Sequence, residues 1–217
     1  MMSADGISVV KRAAVLAVLA LTGSACGIRH VPSKILEKLP YEAKIELLES
    51  ENDLALAVDR LDEARADISR TKEQIKRAKE RLSAAKDEVS AAQDQSSQTV
   101  AELAVTEAET RVEWLRAHQR SNVREETLSA KNLECAYARY ELSRLTSARK
   151  AKLEGSEALE PADFEGQVKA CDEKFAELKE ELKASNTEAQ EIRAEWDKAR
   201  AALAKKTFDA RASPFVE

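Results

Sequence analysis

Few residues in this chain could do chemistry beyond charge and packing: Cys26, Cys135, Cys171, His30, His118 and the aromatic set Trp114, Tyr137, Tyr140 and Trp196. Neither histidine has a Cys or a second His at ligand spacing, so neither a zinc site nor a catalytic triad is expected. Cys135 and Cys171 fall on apolar stripes of helical spacing, where a thiol serves as a small apolar residue. A hairpin centred near residue 157 would set Cys135 opposite residue 179, about 12 Å along the helix from Cys171. A disulfide needs Cα atoms within about 7 Å. Two buried free thiols are therefore the first reading, with a bridge inside the chain or between chains as the alternatives. Trp196 lies on a stripe too, so the aromatic residues read as packing and not as a ligand cage.

Carboxylates are abundant, but none sits in a context expected to raise its pKa, and long helices offer no deep pocket for acid and base work. Glycine-rich phosphate loops and nucleophile elbows are missing from the sequence. No enzymatic activity and no cofactor are expected. The most basic segment, Arg70 to Arg81, holds six bases and two acids and reads as a solvated helical face.

The elements that must position these residues are long helices. Apolar residues recur every seven positions at Leu47, Leu54, Leu61, Ile68, Ile75, Leu82 and Val89. Three residues after the first six come Ser50, Ala57, Ala64, Thr71, Ala78 and Ala85. That repeat is coiled-coil grammar, and the small second position lets helix backbones approach closely. No Gly or Pro occurs between Pro40 and Gly155, and strand patterns are absent. The expected fold is all-α, a long-helix antiparallel coiled coil of three helices at about 41–92, 99–153 and 161–206.

The polar stretch Gln93 to Thr99 reads as the first connection, with Thr99 and Glu102 at capping-box spacing. One continuous helix over 41–153, with helix 3 folded back on it, is the alternative. The second helix carries Val105, Ala108, Val112 and Leu115, then a phase slip of about two residues, then Leu128, Cys135, Ala138, Leu142 and Leu145. Gly155 reads as a C-terminal cap and Pro161 as the first turn of the next helix. Helix 3 shows steps of four and three from Phe164 through Val168, Cys171, Phe175, Leu178, Leu182, Ser185, Ala189, Ile192, Trp196 and Ala199 to Leu203. Charge favours folding back: residues 41–67 hold nine acids and three bases, whereas 126–152 hold six bases and three acids.

The first residues follow other rules. Lys11 and Arg12 precede the apolar stretch Ala13 to Leu21, which is followed by Thr22, Gly23, Ser24, Ala25 and Cys26. That order is a secretory signal peptide, and the stretch is shorter than the roughly 20 residues a membrane span needs. Leu21-Thr22-Gly23-Ser24-Ala25-Cys26 resembles the lipobox of bacterial lipoproteins, differing in carrying Gly23 where the class usually has leucine. The resemblance implies that Cys26 is lipidated and becomes the mature N-terminus, and Gly27 after it implies sorting to the outer membrane. Gly23 and Ala25 also fit a conventional signal-peptidase site, which would leave a soluble periplasmic chain. An uncleaved anchor is the third reading. The expected organisation is signal peptide 1–25, anchor and tether 26–40, helical coiled-coil domain 41–206 and flexible tail 207–217.

Removing the signal moves the net charge from −5 to −6, so nucleic-acid binding is not expected. The sequence reading is a non-catalytic cell-envelope lipoprotein, a structural spacer or assembly component on the periplasmic side of the outer membrane. Its expected partners are the membrane through the lipid and another protein through helix faces, and a homo-oligomer is compatible with such seams. The alternatives are a periplasmic holdase chaperone with a helical-hairpin clamp, which the acidic charge disfavours, and a helical-hairpin adaptor of an export channel, which should carry β-domains.

Overall fold

The structure, a computed structural model, describes residues 27–207. Cys26, the expected signal peptide and the expected tail beyond Thr207 lie outside the described residues. All strand-free among the described residues, the chain forms the short helix α1 (Ser33–Leu36) and three long ones: α2 (Tyr41–Ala91), α3 (Gln95–Lys150) and α4 (Pro161–Thr207). A 3-10 turn, Ser156–Ala158, lies between α3 and α4. The fold is all-α with antiparallel long helices, and residues 41–153 are not one continuous helix.

Only Ala92 to Asp94 interrupt the first hairpin. Asp94, not Thr99, caps the second helix: its Oδ1 accepts the backbone N–H groups of Ser96 and Ser97 at 2.8 and 2.9 Å, and Ser97 Oγ accepts the Asp94 N–H. Two of the orphan donors at the helix start are satisfied this way. Those bonds hold the Asp94 carboxyl below its ordinary range. Thr99 sits inside the helix and donates back to the Gln95 carbonyl at 2.7 Å.

Packing divides the chain into two units. The first takes the described residues up to Leu48 with Ala138–Lys169; the second takes Glu49–Tyr137 and the described residues from Ala170 on.

In the second unit α3 is the central helix, buried along two seams at once. One seam meets α2: Val112 and Leu115 pack with Ile75 and Ala78, Asn122 Nδ2 donates to Thr71 Oγ1 at 2.8 Å, and Arg65 reaches Glu126. The other meets α4: Glu107 bonds Trp196, Ser121 bonds Asn186, and Cys135 joins Cys171. Each seam keeps steps of four and three, so the apparent phase slip after Leu115 is a change from one seam to the other and not a break in winding. On α2 the small positions Ala57, Ala64, Thr71, Ala78 and Ala85 are all buried, as are the large residues Leu47, Leu61 and Ile75, whereas Leu54, Ile68, Leu82 and Val89 are half-buried. The small residues let the helices approach closely, and alternate large residues from Leu47 to Ile75 join them in the core.

On α4, every stripe position from Phe164 to Leu203 is buried or half-buried. Leu178→Asp should therefore unfold the α3–α4 packing, whereas exposed Lys179→Ala should change stability by less than about 0.5 kcal/mol. Equal melting curves for the two variants would show that the stripe is misplaced.

In the first unit α3 ends at Lys150, five residues before Gly155. Lys152 takes the left-handed conformation (φ 52°), and the Leu153 N–H donates to the Ala148 carbonyl. This is a Schellman-type stop, in which the residue after the turn makes the apolar contact; Leu153 packs against Leu39, Ala43 and Leu47. Gly155 instead opens the 3-10 turn at φ 89°, with Ile35 Cδ1 only 3.5 Å from where a Cβ would stand. Arg149 then holds the connection back along α3 by donating to the carbonyls of Ser156 at 3.3 Å and Leu159 at 2.8 Å. Pro161 opens α4 as expected. The charge complementarity of the helix ends appears in the Lys150–Glu46 pair at 2.6 Å; both side chains are exposed, so its weight is small.

Candidate functional site

Cys135 and Cys171 are bonded to each other, with Cα atoms 5.4 Å apart and both residues buried. The expectation of two free thiols is thus corrected, and the reason is register. The fold-back of the connection places residue numbers across α3 and α4 about a centre near 153, as the Cys135–Cys171 and Arg124–Glu181 pairs show. The assumed centre of 157 was wrong by about four residues, which doubles to the roughly 12 Å that had separated the thiols.

Farther along the same seam lies an aromatic and charged cluster that hydropathy does not reveal. Trp114 and Trp196 stack with ring centroids 4.8 Å apart and 3° between planes, and His118 stacks on Trp114 at 5.9 Å. Three guanidiniums cover these rings: Arg111 at 5.4 Å and Arg200 at 5.7 Å over Trp196, and Arg193 at 5.6 Å over Trp114. Glu107, only 1% exposed, accepts the Trp196 Nε1–H at 2.7 Å.

Burial pushes the Glu107 carboxyl up, against the lowering effect of the Trp196 bond and of Arg111, Arg81 and Arg200. The sequence expectation that no carboxylate has a raised pKa is therefore wrong at Glu107. Burial likewise lowers the His118 pKa, with Asp67 opposing and Arg193 assisting. The cluster is closed upon itself: ring stacking and the buried carboxylate use the surfaces that a ligand would need. Trp196 is core, as expected, whereas Trp114 is half-buried against the Ile75–Leu115 cluster and His118 packs on its ring. Among the described residues no group of three or more His, Cys, Asp or Glu is placed to hold a metal ion.

The second buried carboxylate belongs to the first unit. Glu141, fully buried, accepts the Val31 N–H at 2.8 Å through one oxygen and the Arg144 guanidinium through the other. Arg144 in turn lies 5.3 Å over the Tyr140 ring. Val31 is buried with Leu145 and Phe164. Gln167 uses both ends of its amide on the main chain upstream, donating to the Gly27 carbonyl and accepting the Arg29 N–H, each at 3.1 Å. Arg29 closes the contact with Asp163 at 2.8 Å. Bonds to residues 27, 29 and 31 have the period of an extended strand. The segment that reads as a tether in the sequence is fastened to α3 and α4 from its first described residue.

Glu107 and Glu141 are the two site residues that sequence reading missed. Each sits four residues or three from an arginine, a spacing that ordinarily marks a solvated helix face. Comparison with protein-family models, with curated proteins and with solved structures finds no match for this chain.

Proposed function

We propose that this chain is a non-catalytic lipoprotein of the bacterial cell envelope, anchored through Cys26, whose helical body serves as a spacer or assembly component. The observation that carries the reading is the sequence Lys11-Arg12, nine apolar residues, small residues and then Cys26, joined to a body built almost wholly of coiled-coil helix. A protein partner on a helix face is supported by Tyr41, Ile45 and Leu48, which follow one another at helical spacing and are 74%, 49% and 57% exposed. Large apolar side chains aligned on one exposed face favour contact with another helix. Among the described residues no helix is long and apolar enough to cross a membrane; in this reading the membrane is reached through the lipid on Cys26.

The experiment is the Cys26→Ala variant, expressed with its signal and separated by detergent-phase partitioning. Wild type should enter the detergent phase and the variant should not. Equal partitioning of the two would remove the lipoprotein reading.

A further inference from the structure

We propose that the first unit sits directly on the bilayer, without an intervening tether, with the surface formed by Arg29, His30, Ala158 and Glu160 against the phospholipid headgroups. The inference rests on the reading of Cys26 as the lipidated N-terminus. In that reading one residue of the mature chain precedes Gly27, and consecutive Cα atoms are about 3.8 Å apart. Gly27 is not free to move away from the body, because its carbonyl accepts from Gln167, and Arg29 and Val31 fasten the next two alternate residues. Were the fifteen residues 26–40 a flexible tether, they would instead spread over about 20 Å.

The surface beside the fastened segment carries charges of both signs and no excess of cations. A hollow of about 310 Å³ is lined by Arg29, His30, Ala158, Leu159, Glu160, Asp163 and Phe164, so one guanidinium faces two carboxylates there. Arg29 is paired with Asp163, and Lys38 lies 3.8 Å from Glu154. Paired cations of this kind add little attraction to an anionic leaflet, where each unpaired one would contribute about 1 kcal/mol. The covalent length, and not charge, is what presses this face to the bilayer. Zwitterionic vesicles are therefore the fitting probe.

The test uses the full lipidated chain in phosphatidylcholine vesicles that carry a headgroup-borne quencher. Ala158 is exposed, and a fluorophore on an Ala158→Cys variant reads proximity while the Cys135–Cys171 bond leaves no other free thiol in the described body. The comparison protein carries a twelve-residue Gly/Ser insertion directly after Gly27, which leaves the fold untouched and adds about 20 Å of flexible reach. Strong quenching without the insertion, and loss of most of it with the insertion, is the expected result. Equal quenching in both, or none in either while mass spectrometry shows the lipid in place, overturns the direct seat and leaves the anchor reading standing. A chain that carries no lipid overturns the anchor reading and this inference with it.

Discussion

Replacing Cys135 and Cys171 together by alanine should lower the unfolding free energy by about 4 kcal/mol, the chain-entropy value for a loop of this length. The bond closes a sequence separation of 36 residues, spanning the end of α3, the folded-back connection and the start of α4. In the oxidised unfolded chain that loop stays closed, so the unfolded ensemble has less conformational freedom to gain. Alanine is the fitting replacement because both cysteines are buried and it adds no polar group there. Urea unfolding of the oxidised chain, the reduced chain and the double variant measures the effect. The reduced wild type and the variant should unfold at similar, lower urea than the oxidised chain. Coincidence of all three curves would show that the bond is not formed in the purified protein or that it constrains nothing. An exported chain lives where such bonds persist, so the same result bears on the compartment.

What the sequence displayed well was whatever repeats. The stripe from Phe164 to Leu203 is legible because one apolar residue per step marks one buried face, and α4 buries one face only. The register of the first hairpin is legible as well: folding back about the middle of the Gln93 to Thr99 stretch sets Thr71 within one residue of Asn122, its hydrogen-bond partner. The turn itself was placed too late, because a polar run looks alike whether it is loop or exposed helix, and only Asp94 has the side-chain bonds that stop one helix and start the next.

The central helix was the hardest to read for a physical reason. It buries two seams, and on the α4 side one of them runs through Glu107, Arg111, His118 and Ser121, residues that hydropathy assigns to water. Their burial depends on partners supplied by α4, above all Trp196 and Asn186, and that pairing is not local in sequence. The disulfide was misjudged by the same blindness. Arg149 folding the connection back onto α3 shifts the register by several residues without leaving a repeat to see.

Trp196→Ala should be the most damaging single substitution in the second unit, costing about 3–5 kcal/mol. The indole is 6% exposed, stacks on Trp114 at 4.8 Å and supplies the N–H that Glu107 accepts. Its removal opens a cavity and leaves a buried carboxylate without its donor. Trp196→Phe keeps a ring in the site but loses the N–H, worth about 1.5–3 kcal/mol for a hydrogen bond to a charged group, together with the five-membered half of the indole, so its cost should lie between that bond alone and the full Trp196→Ala loss. The pH dependence gives an independent check. Glu107 is held above its ordinary pKa by burial, so the folded chain binds this proton more tightly than the unfolded chain does. The stability contributed by that proton is fully present below the ordinary carboxyl value of 4.5 and is lost as pH rises through the raised folded value. Glu107→Gln keeps a neutral acceptor for the indole and has no proton to lose. Its stability relative to wild type should therefore increase between acid and neutral pH and level off once Glu107 is ionised in both states. Trp196→Phe removes an interaction that lowers the Glu107 pKa, so its own loss should extend to higher pH than that of wild type. A Glu107→Gln difference that stays flat from acid to neutral pH would mean that the carboxylate reaches water, and the seam of charged residues between α3 and α4 would then have to be drawn with Glu107 outside it.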